Sequence, residues 1–309
     1  MAWTVANNGA PNTLLLARPS APYVSLGFHQ SFAEEIDPAF LERRPIPVLR
    51  RVEGGGTTYL DPDQQFYQLA YREEGGGGGG PADLERFLRA PVRAARALGL
   101  AATLRPPSDL TVGDRKFSGN AGGDWEGAHL LVGGFLGRAD LVSMTEVLRL
   151  PDPALRPILQ RAVGRWITSW EAETGRVPDP EALRDALVRA FVRERLFRVR
   201  VGDPSPEEER RFRTETLPRH ADPRWRDLPP IPKRPGTPLR SIRIAGPHGM
   251  IVLEAGSAEG LWAAIVEGDL LREGYRLVPG DGALAQPIPA ASDEAGQLGR
   301  YLRRLPPFR

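Results

Sequence analysis

Seven prolines fall between Leu217 and Pro238, in a stretch with little apolar periodicity. Proline fixes φ and removes a backbone donor, so neither a long helix nor the interior of a sheet runs easily through such a segment. It divides what this chain can fold into: a domain over residues 1–216, a linker over 217–238 and a small domain over 239–309. A length of 309 residues, 41% of them hydrophobic and 26% charged, is enough to give the larger part a substantial core.

Before the prolines, residues 12–16, 22–27, 47–51, 57–60 and 65–71 read as short strands, some alternating apolar with polar positions and rich in β-branched or aromatic residues. From Asp83, the residues Leu84, Phe87, Leu88, Val92, Ala95 and Leu98 follow helical spacing; Gly99 suits a C-terminal cap, and Pro91 should kink or shorten the helix. Residues 108–112 and 129–136 read as strands around a polar loop, Gly113 to Glu126. A helix over Asp179 to Glu194 has an Asp cap, Pro180 in its first turn and an apolar stripe at Leu183, Leu187, Ala190 and Phe191 that should pack on the sheet. A charged helix follows over 204–213. The C-terminal part offers strands at 239–244, 250–254 and 261–266 and a helix near Glu294 to Leu305, a small α/β appendage.

Composition removes several kinds of function. With 41 basic against 39 acidic residues the net charge is +2, so no basic field argues for nucleic acid or an anionic membrane as the main partner. No apolar run approaches 18 residues and the start lacks the order of a signal peptide, so the expectation is a soluble, cytoplasmic protein. The chain has no cysteine, which rules out disulfides, thiolate metal sites and thioester intermediates. Its four histidines are scattered, with no pair at metal-binding spacing. The six glycines Gly75 to Gly80 formally satisfy G-x-G-x-x-G. They follow two glutamates rather than a buried strand and read as a surface loop.

Two segments can carry chemistry: Arg50-Arg51-Val52-Glu53-Gly54-Gly55-Gly56, and Ser108-Asp109-Leu110 with Gly113-Asp114-Arg115-Lys116-Phe117-Ser118-Gly119-Asn120-Ala121. Lys116 and Lys233 are the only lysines beside 39 arginines. A compact ammonium among Gly, Ser and Asn, with glycine backbone that can approach closely, suits binding a carboxylate and a phosphate together. The plainer alternative is a solvated loop lysine beside a tight turn. Arg50 reads as a sheet-edge charge, Trp166 and Trp262 as core, His129 as a satisfied strand residue, Trp225 as an anchor for the linker, and the charge run Glu207 to Arg213 as a solvated helix face.

Together these segments resemble the lipoate protein ligase family of the biotinyl and lipoyl protein ligase superfamily, whose members carry R-R-x-x-G-G-G and N-D-x-x-x-x-x-[RK]-K-[VIF]-[SA]-G-[NS]-A. Supporting similarity runs through Val24 to Gln30, Arg138 to Leu141 and Arg165 to Ser169, so that it covers most of residues 12–225. The tail from about residue 237 resembles the family's accessory domain. The resemblance implies an α+β fold, a mixed and mostly antiparallel sheet with flanking helices. It also implies activation of lipoate with ATP and Mg²⁺ to lipoyl-AMP, and transfer to a lysine of an acceptor: a lipoyl domain, a glycine-cleavage H-like protein or another lipoate-binding protein. Carried over by position, Lys116 is the catalytic lysine. Arg51, Gly54, Gly55, Gly56, Thr57, Asp109, Ser118, Gly119, Asn120 and Ala121 form the substrate and nucleotide site, with Asp109 also the candidate Mg²⁺ ligand.

The chain departs from the pattern at Glu53, where members often have Ser, at Leu60 and Val132, where they have His, and at Ser108, where they have Asn. Only about eleven residues precede the first matching segment, where the family usually has a strand and a helix. Either the assigned start lies inside the true gene or a covering element is lost, and the former is preferred. An octanoyltransferase of related fold works through a cysteine thioester, a route closed here, and a biotin ligase orders its glycine and basic loop differently. Two alternatives stay open: a transferase that uses preformed lipoyl-AMP, and a non-catalytic homologue that binds octanoyl or lipoyl groups.

Overall fold

The computed structural model describes residues 1–7, 9–72, 81–106, 108–150, 156–194 and 200–229, and strands within 240–246, 249–255, 261–267, 275–276 and 286–287. Gly75 to Gly80 and the helix expected near Glu294 to Leu305 lie outside the described residues. From the N-terminus come helix α1 (Ala2–Asn7), strands β1 (Thr13–Ala17) and β2 (Tyr23–Leu26), helices α2 (Phe32–Glu35) and α3 (Pro38–Arg43), strands β3 (Val48–Arg50), β4 (Thr58–Leu60) and β5 (Gln64–Tyr71), and helix α4 (Pro81–Ala97). Strands β6 (Ala102–Arg105), β7 (Asp109–Val112), β8 (Arg115–Trp125) and β9 (Ala128–Leu136) precede helices α5 (Leu141–Glu146), α6 (Arg156–Trp166), α7 (Trp170–Thr174), α8 (Pro180–Arg193) and α9 (Pro206–Arg211). A π-helical turn over Phe212–Thr216 leads to α10 (Leu217–Ala221) and α11 (Pro223–Arg226); strands β10 (Arg240–Gly246), β11 (Gly249–Ala255), β12 (Leu261–Glu267), β13 (Tyr275–Arg276) and β14 (Gln286–Pro287) follow.

The chain forms two compact units, residues 1–28, 46–140 and 167–226 in the first, and 29–45, 141–166 and 227–309 in the second. The first is built on a six-stranded antiparallel sheet in the order β1-β5-β9-β8-β7-β6. Alternation along each strand gives the sheet two faces. Tyr67, Leu69, Tyr71, Leu131 and Phe135 point to one of them, where they join Phe87, Leu88 and Ala95 of α4 and Leu183, Leu187 and Phe191 of α8 in the main core. Asp179 caps α8 by accepting from the N–H groups of Glu181 and Ala182. The other face carries Phe66, Gln68 and Ala70. Over its Ala70 end lies α1, whose Val5 packs with Ala70, Ala128 and Leu130. A second sheet, β3-β2-β4, pairs β2 parallel with β3 and antiparallel with β4.

Three local expectations change. The polar loop read over Gly113 to Glu126 is mostly strand β8, with turns only at its ends: β7 and β9 hydrogen-bond it on both sides and override the low strand preference of its glycines. Helix α4 runs through Pro91 for 17 residues, because its inward row from Phe87 to Ala95 is buried against the sheet. It ends where Gly99 takes a φ of +89°. Residues 217–226, read as aperiodic, form α10 and α11.

In the second unit Asp37 caps α3 by accepting from the N–H groups of Ala39 and Phe40, and its other oxygen takes the Arg156 guanidinium at 2.8 Å. Trp166 is buried, as read. Strands β10, β11 and β12 form an antiparallel meander that matches the strands read from sequence, and β13 pairs with β14.

Candidate active site

A β-bulge brings Lys116 to the open face of the sheet. Strict alternation would aim Lys116 and Ser118 to the same side of β8, and Ser118 is buried on the helix-covered face opposite Leu110. The register of β8 against β7 shifts between Leu110 and Thr111, absorbing Phe117 as an extra residue; Phe117 and Ser118 are both buried, while Lys116 emerges beside Gly119 on the open face. A Cβ on Gly119 would lie 3.1 Å from the Lys116 Cε and Nζ, so the glycine leaves the ammonium room. The Thr168 N–H donates to the Lys116 carbonyl at 2.8 Å and holds the bulged backbone. Asp109, level with Gly119 on β7, accepts from Lys116 Nζ at 2.6 Å through Oδ1 and from Arg105 at 2.9 Å through Oδ2. All three side chains remain partly exposed, so two cations flank one carboxylate at the edge of an open floor.

The glycine segment packs onto the same face. Gly55, at a φ of +92°, places its missing Cβ 3.8 Å from the Ala121 side chain, so the two segments singled out in the sequence meet. Arg51 is the strut of this loop: its guanidinium donates to the carbonyls of Ser25, Gly54 and Gly56 at 2.7 to 3.1 Å. Burial pulls its pKa down to about 10. A Cβ on Gly27 would collide with the Gly55 carbonyl, which fixes how closely the loop lies on the end of β2. Thr57 links the loop to β4 and is half-buried.

Ser118 and Asn120 work from the opposite face. Asn120 donates to the Ser108 carbonyl at 2.7 Å and accepts from the buried Tyr67 hydroxyl at 2.5 Å, which ties β8 to the turn that presents Asp109. Burial raises the Tyr67 pKa, so its hydroxyl stays a donor. The open face thus gathers Lys116, Asp109, Gly119, Ala121 and the Gly54 to Gly56 loop, while Ser118 and Asn120 lie beneath it.

Arg50 corrects the reading of a sheet-edge charge. It is fully buried and donates to the carbonyls of Phe28, Trp225 and Arg226. Its own carbonyl accepts from His220 Nδ1 and Trp225 Nε1, both at 3.0 Å. Trp225 also packs on Phe28 and Trp125, the anchoring role read for it. His129 contacts Asp124 at 2.6 Å as a satisfied strand residue.

A family model described as the lipoyl protein ligase A/B catalytic domain matches residues 2–192. The chain belongs to this family. The lipoate-protein ligase LplJ of Bacillus subtilis is 31% identical over 107 residues, 35% of this chain and 31% of that protein, so the match spans about a third of this relative. The octanoyltransferase LipM of Moorella thermoacetica is 28% identical over 205 residues, 59% of this chain and 74% of the relative. A bipartite lipoate protein ligase from Thermoplasma acidophilum, studied with its E2 lipoyl domain, has the same fold at a TM-score of 0.66 and 23% identity, over 74% of this chain and 88% of that one. The lipoyl ligase fold, α+β on a mostly antiparallel sheet, is therefore the fold of this chain. Among the described residues no helix is long and apolar enough to cross a membrane.

An ATP-using member of this family implies a magnesium ion, and the residues here do not fit one held by protein side chains alone. Both oxygens of Asp109 are held by cations, and no group of three or more His, Cys, Asp or Glu side chains able to hold a metal occurs among the described residues. Sequence reasoning missed Arg105, Tyr67 and Gln68. The spacing of Arg105 four residues before Asp109 was a weak signal for the first, whereas the other two needed the cross-strand register.

Proposed function

We propose that the chain is a lipoate protein ligase that activates lipoate with ATP to lipoyl-AMP and transfers the acyl group to a lysine of a lipoyl-acceptor protein. The observation that carries this reading is the Lys116 ammonium, raised by the bulge onto an open glycine floor beside Arg105 and Asp109, in a chain with no cysteine. Adenylation brings a carboxylate oxygen onto the α-phosphorus and expels pyrophosphate, so two anions must be held side by side against their repulsion. Lys116 and Arg105 supply that charge, and Asp109 keeps both cations aimed before the substrates arrive. The glycine loop covers the floor beside them. In the second step the acceptor amine attacks the acyl carbon, loses its proton, and AMP leaves.

An accessory domain over residues 239–309 belongs to the same proposal, as do the roles of Arg51 and Asn120 as supports and the cytoplasmic setting. The LipM relative supports a second reading, acyl transfer without ATP. The known route through a cysteine thioester is closed here, which leaves transfer from preformed lipoyl-AMP. Intact-mass analysis of a lipoyl domain separates the two. The ligase reading expects one lipoyl mass added with lipoate and ATP. Modification only from supplied lipoyl-AMP would make the chain a transferase, and no modification from either would make it a binding protein.

A further inference from the structure

Beyond the ammonium, cross-strand register lays out the open face in rows. Gly119, Gly134 and Phe66 lie in one row, and Ala121, Val132 and Gln68 in the next. A Cβ on Gly134 would lie 2.6 Å from the Phe66 ring, so that glycine leaves the ring room over β9. The floor therefore runs from cations at Lys116 and Arg105, across the apolar surface of Gly134, Phe66 and Val132, to a polar end at Gln68. Two strand spacings and two residues along a strand put Gln68 roughly 12 Å from Gly119, a span that an extended medium-length acyl chain covers.

At that polar end sits a carboxyl the chemistry above does not use. Glu53 is only 4% exposed, and Gln68 Nε2 donates to its Oε1 at 3.1 Å. Its neighbour Arg51 directs its guanidinium at the loop carbonyls and forms no ion pair with it. Burial raises the Glu53 pKa, which favours a carboxyl that can donate as well as accept.

We infer that Glu53, held by Gln68, selects the end-group of the acyl substrate, favouring a medium-length carboxylic acid with a heteroatom at its far end over a plain alkyl chain. The inference rests on the proposed acyl-activating function and deepens it. A terminal methyl packed against this pair offers the carboxyl no further partner. A dithiolane sulfur or a hydroxyl offers an acceptor. Sites built around a buried polar group reject the analogue that leaves it unpaired, by about 10-fold or more.

Calorimetric titration of the full chain with lipoate, 8-hydroxyoctanoate and octanoate tests this. The wild type should bind the first two at least about 10-fold more tightly than octanoate. Glu53→Gln, which keeps shape and hydrogen bonding, should retain the preference. Glu53→Ala should bring the three acids within about threefold of one another, chiefly by tightening octanoate. Equal affinities in the wild type, or an unchanged ratio in Glu53→Ala with Glu53→Gln folded and binding, overturn the inference while leaving the acyl site intact. Binding of none of the three acids to the wild type overturns the inference and the acyl-site reading together.

Discussion

At the scale of single residues, the site depends on where charges are allowed to stay in water. Lys116, Asp109 and Arg105 keep partial exposure, so Asp109 holds the two cations in place while both stay open to solvent. Glu53 is buried and Arg51 half-buried, and both have pKa values displaced by desolvation toward their neutral forms. For Glu53 this has a consequence for stability. A carboxyl whose folded pKa is raised contributes stability that is complete below its ordinary value of 4.5 and is lost as pH rises through the folded value. Above pH 4.5 the unfolded chain ionises this carboxyl more readily than the folded one does, so burying Glu53 weakens the fold there. Glu53→Gln should melt at a higher temperature than the wild type at pH 7.5, with the gap closing near pH 4; thermal unfolding at the two pH values checks this.

At the scale of elements, β8 is the piece on which the rest depends. Its bulge at Phe117 turns the lysine outward, and its Asn120 reaches beneath the sheet to Tyr67 and Ser108. Gly133 on β9 makes room for that contact, since a Cβ there would overlap Asn120 Oδ1 and lie 2.6 Å from the Tyr67 ring. Gly133→Ala should destabilise the protein by about 2 to 3 kcal/mol, read as a lower urea midpoint, and should weaken acyl binding through the displaced Asp109 turn. Sequence patterning made β5, β9 and α8 legible because their apolar rows repeat at the period of the element. It failed for β8, where Ser118, Gly119, Asn120, Gly122, Gly123 and Asp124 carry no strand signal and pairing on both edges decides the conformation. The helix is not shortened at Pro91, because buried neighbours outweigh one missing backbone hydrogen bond. The two chemical segments were visible as segments, yet the division of Lys116 and Asp109 from Ser118 and Asn120 onto opposite faces required the bulge, which no local pattern announces.

At the scale of the whole molecule, the chain returns after residue 200 to close the first unit. Trp225 and His220 donate to the Arg50 carbonyl, while the Arg50 guanidinium takes the Trp225 and Arg226 carbonyls, a reciprocal clasp between β3 and the segment that was read as a linker. Burial lowers the His220 pKa, aided by the nearby Arg219 charge and opposed by the Arg50 carbonyl. The clasp is therefore fully present above the ordinary His value of 6.5 and loses stability as pH falls through the lower folded value, because the unfolded chain takes up the proton first. Urea midpoints at pH 7.5 and 5.5 should show a smaller acid loss in His220→Gln than in the wild type.

The most direct test of the account is lipoate-dependent release of pyrophosphate from ATP, measured for the wild type and for Lys116→Ala. The wild type should release pyrophosphate, and the variant should lose about 100-fold or more of that rate, the scale on which removal of a charge-stabilising donor acts. A wild type that releases no pyrophosphate, or a Lys116→Ala variant that releases it at an undiminished rate, would contradict the account.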